Sequence, residues 1–369
     1  MYRVFAVNPG STSTKIALLD DDQVLFSRNV AHEAETLAKF PTLADQRSYR
    51  EETILSLLRE SDVSLEGVDA FVCQGGGIFW VDEGVYEIDA LVLEHARTSA
   101  NGVIHPACLG PGLCHQLKVG YGGVAFMVYP PDVDELQDLA RMTGIKGVYR
   151  QVRLHTLNLK ETARRHAASL GRRYEDCNFV VCHLGGGISV SAHRRGRMVD
   201  GFNIAGGDGP MAPTRCGSIA VADLLRYAQG KDVREVLDLT TKSGGFVSHL
   251  GVSDSREVTE RAATDKYARM VWDTAIYQIE KSIGAMAAVL HGEVDGILLG
   301  GGMAHSEDLV GHVTEACSFI APVTAYPGEF EMEGMGAATA RVLSGQEPLK
   351  KYTGKPVWTG FDFEPRSET

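Results

Sequence analysis

The chain opens on residues that could handle an anion. Asn8-Pro9-Gly10-Ser11-Thr12-Ser13-Thr14-Lys15 sets a glycine, a string of hydroxyls and a lysine between two apolar runs. A glycine lets backbone N–H groups approach an anion closely, hydroxyls add neutral donors, and Lys15 supplies a point charge. Residues 4–7 are apolar, β-branched at both ends and bounded by Asn-Pro-Gly, which reads as a buried strand entering a tight turn. A phosphate-binding turn between two strands has this composition, and so does a polar hairpin loop. It is not a Walker loop, because no G-x-x-x-x-G-K-[ST] occurs and a strand, not a helix, follows.

The same theme returns in the second half. Residues 178–193, NFVVCHLGGGISVSAH, again read as strand, glycine turn and strand, with Gly185 where the first copy has Gly10. His183 stands directly before the Gly185-Gly186-Gly187 turn, as a ligand-facing donor or a buried structural histidine. Two more apolar runs end in triple glycines, 68–73 into Gly75-Gly76-Gly77 and 294–299 into Gly300-Gly301-Gly302. Bare backbone at a strand end is where α/β proteins hold ligands. A glycine- and proline-rich loop over 206–215 delivers Arg215. Two phosphate-turn hairpins, one per half, point to a duplicated domain with a nucleotide held between the halves.

Elements must position these turns. Periodicity predicts further strands over 24–30, 124–128, 198–200 and 319–326, and helices over 45–60, 87–98, 106–117, 134–142, 154–170, 256–290 and 334–343. The methionines and aromatics on the 256–290 stripe read as core. After Glu347 the tail reads as polar and loosely ordered.

Composition narrows the class. A length of 369 residues suggests two domains, and 44% hydrophobic with 23% charged residues is ordinary for a soluble globular protein. A net charge of -12 argues against a nucleic-acid or anionic-membrane surface. No signal segment and no apolar run near the ~18 residues of a spanning helix is visible, so a cytoplasmic protein is expected. The seven cysteines are scattered, with no C-x-x-C, which fits a reducing compartment. His105, Cys108, Cys114 and His115 could offer zinc four donors, but their spacing matches no standard finger or ribbon, and buried small thiols are the simpler reading.

Taken together, NPGSTSTK at 8–15, HLGGGISV at 183–190, GDGP at 207–210 and GGGMAH at 300–305 resemble the acetate and butyrate kinase family, over essentially residues 1–345. Length and the NPGSTSTK and GGGIS wording are closer to butyrate and branched-chain fatty acid kinases. The resemblance implies an α/β, duplicated ribonuclease-H-like, two-domain fold of the actin-like ATPase superfamily with a central nucleotide cleft. On it, 1–148 forms the N-terminal domain and 149–332 the C-terminal domain carrying the adenosine site. A helix and tail over 333–369 follow, the helix packing back on the N-terminal domain. It also implies Mg²⁺ with ATP as cosubstrate, reversible phosphoryl transfer to a short or branched fatty acid, butyrate above all, and a homodimer or larger homo-oligomer. By similarity Asn8 and Glu331 serve Mg²⁺, with Glu329 and Glu333 as alternatives to the latter. Ser11, Ser13, Lys15 and Gly185 to Gly187 serve the phosphates, and Gly300 to Gly302 pass under the adenosine. His183 and Arg215 stabilise the transferring phosphoryl. His155, in a segment resembling the family's Phe-His motif, reads as structural or supporting.

Two departures fall on the acceptor side. Gln74 stands where the family has an arginine, and Tyr129 where it has an aspartate before proline. A neutral amide cannot fork onto a carboxylate as arginine does. Losing both charges avoids leaving one unpaired. These changes raise a second reading, a kinase-fold binder of ATP or acyl phosphate with weak turnover. A third is a kinase for a hydroxy acid or sugar.

Overall fold

The computed structural model describes residues 1–362; the last part of the polar tail, 363–369, lies outside the described residues. The chain divides into two compact units, one made of Met1–Asp134 together with the chain from Glu331 onward, the other of Glu135–Phe330.

In the first unit β1 (Arg3–Pro9), β2 (Ser13–Asp20) and β3 (Gln23–Ala31) form an antiparallel meander. Parallel to β1 lies β4 (Ala70–Cys73); β5 (Val85–Glu87) pairs antiparallel with β6 (Val124–Val128), giving the order β3-β2-β1-β4-β6-β5. Val4 to Val7 are fully buried, as a central strand covered on both faces must be. The Glu331–Leu343 helix packs across β1, β2 and β4, and its small residues permit close approach. A Cβ on Gly336 would sit 2.1 Å from the carbonyl of Asp21.

The second unit repeats the plan. A meander of β7 (Asn178–Leu184), β8 (Ile188–Arg194) and β9 (Arg197–Gly201) is extended by parallel strands β10 (Gly296–Gly301) and β11 (Val323–Pro327). Its order, β11-β10-β7-β8-β9, mirrors β6-β4-β1-β2-β3, so the repeat read in the turns extends through the whole sheet. Its core is the Lys266–Val289 helix, with Trp272, Ile276, Ile279 and Ile283 buried against β8 and its neighbours.

Three expected helices differ. The 256–290 pattern is two helices, because Asp265 caps a new start by accepting the N–H of Tyr267. Over 134–142 only Asp138–Arg141 is helical, since Val133 bridges Val81 and the N–H of Asp134 donates to the Val81 carbonyl. Residues 85–87 belong to β5, and the helix after them starts at Ala90 under an Asp89 cap. Among the described residues no helix is long and apolar enough to cross a membrane.

Candidate active site

In the second unit β7 carries His183 to the edge of the glycine turn, 3% exposed. Nδ1 of His183 lies 2.5 Å from the amide nitrogen of Asn158, on the Thr156–Ser169 helix. Burial, opposed by Glu329 and helped by Arg215, lowers the His183 pKa to about 4. The ring is therefore neutral near pH 7, and the 3.9 Å approach of Glu329 to Nε2 is not an ion pair there. His155 stacks on it with ring centroids 3.9 Å apart, half-buried, its Nδ1 2.9 Å from the Ser189 hydroxyl. Gly185 has to be glycine for this packing: a Cβ there would come within 2.9 Å of His183 Nε2.

The Arg215 loop docks on the same turn. Thr214 donates to the Gly186 carbonyl through its N–H at 3.3 Å and its hydroxyl at 3.0 Å. The guanidinium of Arg215 then lies on bare backbone at Gly187, where a Cβ would overlap Nη1. Its Nε and Nη1 are enclosed with no hydrogen-bond partner among the described residues. Burial lowers its pKa, yet a guanidinium keeps its charge. A neutral imidazole beside an enclosed, unpartnered cation forms a receptor for developing negative charge on oxygen.

Gly300 pairs in register with His183, and Gly301, at φ +89°, abuts the Leu184 backbone. Gly302 lines a cavity of about 820 Å³ with Gly185, Gly186, Pro213, Trp272 and the Ser253–Thr259 segment. That volume is ample for a nucleoside.

The first unit holds the other turn. Asn8 donates from its amide to Oε2 of Glu331 at 2.6 Å. Lys15 is the register partner of Asn8 across β1 and β2, and the N–H of Gly10 closes the turn on the Ser13 carbonyl at 2.7 Å. Ser11 is exposed and Ser13 half-buried. Beneath the turn lies Arg50, fully buried, donating to the carbonyls of Gly10, Ser11 and Ser13 and to the Thr14 hydroxyl. Thr14 also bonds His32 at 2.8 Å; burial and Arg50 lower the His32 pKa to about 4. Gln74 is half-buried ahead of three glycines at positive φ. Tyr129 is buried, with its hydroxyl between Arg341 at 3.2 Å and Glu347 at 3.3 Å. The predicted residues thus form two groups, one per unit. Sequence reasoning passed over Arg50, Asn158 and the Ser253–Thr259 segment. Arg50 had a signal: a cation on the stripe of Ile54 and Leu58, both buried.

Two such sheets, each with a glycine turn between its first two strands, make a duplicated α/β fold of the actin-like ATPase kind. Residues 138–320 match the acetokinase family model. Butyrate kinase 2 of Clostridium acetobutylicum is 37% identical over 354 residues, 95% of this chain and 99% of that protein; butyrate kinase 1 of the same organism is 35% identical over 355 residues, 95% and 100%. Porphyromonas gingivalis acetate kinase superposes with a TM-score of 0.72 at 20% identity, over 94% of this chain and all of that one. A Francisella tularensis propionate kinase gives 0.74 at 17%, over 91% and 99%. The chain belongs to the acetokinase family, and is a carboxylate phosphotransferase that uses ATP.

Proposed function

We propose that this chain transfers the γ-phosphoryl of ATP reversibly to butyrate or a close branched relative, giving ADP and an acyl phosphate. The names of its curated relatives support the acceptor. The observation that carries the reaction type is the enclosed, unpartnered Arg215 against the Gly185–Gly187 turn and neutral His183.

The acceptor carboxylate is ionised at neutral pH and needs no general base. One of its oxygens attacks the γ-phosphorus in line; the bond to the bridging oxygen breaks, and that oxygen leaves on ADP. Arg215 grips the equatorial oxygens with its free N–H groups, and His183 donates from Nε2. His155, stacked and half-buried, shares this face. Gly185 to Gly187 offer N–H groups to the phosphates; Ser11 and Ser13 with their hydroxyls, and Lys15 with its ammonium, are the phosphate-handling groups of the first unit's own turn. Gly300 to Gly302 and the 253–259 segment receive the nucleoside. Gln74 and Tyr129 stand for the acceptor side.

Mg²⁺ suits the Asn8–Glu331 pair, since it favours one or two carboxylates plus substrate phosphate and water, and the two side chains already touch. Bound there with ATP, it would neutralise charge on the β- and γ-phosphates. Glu331, not Glu329 or Glu333, is the glutamate paired with Asn8.

A homodimer or larger homo-oligomer is part of the proposal. The Val221–Ala228 and Val233–Asp238 helices bury none of their residues and expose Val221, Leu225, Val233 and Leu237, a surface suited to a second copy. Seven free thiols, six of them buried, suit a reducing cytoplasm. Hydroxylamine trapping across straight and branched acids tests the reaction. A hydroxamate formed fastest from butyrate is expected; no Mg-ATP-dependent hydroxamate from any acid would sink the reading.

A further inference from the structure

We propose that the first unit holds a second ligand site, for a hydrophobic carboxylate. The site is the cavity bounded by the start of the Gln46–Glu60 helix, the Ala90–Thr98 helix and the Gly110–Tyr121 helix. It is a half-open groove of about 510 Å³, within the range of small-molecule pockets. None of the residues assigned above to phosphoryl transfer lines it.

Leu43, Leu93, Ile104 and Leu109 give the cavity an apolar body. Its charges are unevenly matched. Arg97 forks onto Glu94, with Nε at 3.2 Å and Nη2 at 3.0 Å, so that pair is internally neutral. Arg47 makes no side-chain hydrogen bond or ion pair to any described residue. Its stem lies on bare backbone at Gly112, where a Cβ would come within 2.9 Å of Cδ. His115 completes the wall, its Nδ1 closed to solvent and without a partner among the described residues.

One exposed guanidinium without a side-chain partner among the described residues, beside a half-open apolar cavity, fits a monoanion with an apolar body. A carboxylate matches the fork of an arginine, and its chain would cover the leucines and Ile104. Inorganic phosphate would leave the chamber empty, and a neutral apolar molecule would leave Arg47 unused.

The site is wired to the phosphate turn. Arg47 lies three residues before Arg50, on the same helix, and Arg50 holds the carbonyls of Gly10, Ser11 and Ser13. A carboxylate on Arg47 loads the helix end that clamps the turn, so occupancy should shift the KM for ATP. This readout rests on the proposed function; binding itself does not.

Calorimetry on the full chain tests the site, with sodium octanoate, inorganic phosphate and butyrate as probes. Saturable octanoate binding is expected in the parent and undiminished in Arg215→Ala. Arg47→Gln and Leu93→Glu should each weaken it about tenfold or more, the scale of one charge-assisted contact, while Arg47→Lys keeps most of it. Arg47 is exposed and Leu93 half-buried, and unchanged thermal unfolding certifies each variant's fold. Octanoate affinity within about twofold of the parent in both Arg47→Gln and Leu93→Glu overturns the proposal. Arg47-dependent binding of phosphate as tight as that of octanoate refutes the carboxylate assignment. Failure of all hydroxamate formation would remove the kinase reading and leave these isotherms standing.

Discussion

The side-chain amide of Asn158 approaches Nδ1 of His183 at 2.5 Å while its oxygen takes the N–H of Phe330 at 3.1 Å. A backbone N–H can only donate, so the amide oxygen faces Phe330 and the NH₂ faces the ring. Nδ1 is then the bare nitrogen, and the proton of the neutral imidazole sits on Nε2. Asn158→Asp puts an acceptor opposite Nδ1 and draws the proton there. Turnover should fall on the order of 10²-fold, the scale of losing one oriented donor. ¹⁵N shifts of His183 should report the new tautomer. Full activity with the proton moved would show that Nε2–H is not used.

Arg215→Ala separates chemistry from stability. An arginine on transferring oxygens is worth roughly 10³-fold or more in turnover. Because its Nε and Nη1 are buried without a partner, the folded chain bears an uncompensated desolvation cost that alanine removes. The thermal midpoint should hold or rise while kcat collapses. A fall in midpoint with near-normal kcat would mark Arg215 as a structural residue.

Acid should destabilise the protein through its buried histidines. The pKa values of His183 and His32 are lowered to about 4, chiefly by burial, and that of His193 also lies well below the usual value. Unfolded histidines take a proton near 6.5, so between about pH 6.5 and pH 4 the unfolded chain binds more protons. Stability therefore declines as pH falls through that window and is insensitive to these groups above it. For His183 alone the full decline is on the order of 3 kcal/mol. Urea midpoints across this range check it, and His183→Gln should flatten the slope. An unchanged slope would mean that His183 does not contribute.

The strand-to-glycine junctions were legible because buried central strands read as unbroken apolar runs, as Val4 to Val7 and Phe179 to Cys182 do. The repeat was legible from two turns, and the sheets extend it to strand order. What stayed hidden depends on tertiary partners. Nothing local marks Asn158 as the group that sets a tautomer, since its partners are 25 and 172 residues away. The break before Asp265 was masked because the apolar stripe continues through it, and only the cap shows where the chain restarts.

Arg50→Met tests the floor of the first turn. Its loss would leave the carbonyls of Gly10, Ser11 and Ser13 without their shared donor. The Ser13 carbonyl keeps the Gly10 N–H and Ser11 is exposed, so the cost falls chiefly on the Gly10 carbonyl, and a loss of about 1–3 kcal/mol is expected, with a raised KM for ATP. Denaturant midpoints and nucleotide titrations read the two effects separately. A fully stable variant with normal KM would show that the turn holds itself.

Tyr129 has a backbone φ of +41°, and its hydroxyl is engaged by Arg341 and Glu347. Left-handed backbone suits aspartate better than a bulky aromatic ring. Here the ring is held in that conformation by packing, and its hydroxyl serves the C-terminal helix. Tyr129→Asp alone relieves the backbone but removes both hydroxyl contacts and buries a new charge. It should lose about 1–3 kcal/mol. Gln74→Arg alone introduces a half-buried guanidinium able to fork onto a carboxylate. Combined, the two changes add one positive and one negative group, and the KM for butyrate should move by about tenfold or more while the KM for ATP stays within about twofold. Steady-state kinetics with each substrate varied in turn makes the comparison. Equal movement of both constants would mean that these positions tune the whole fold instead of the acceptor side.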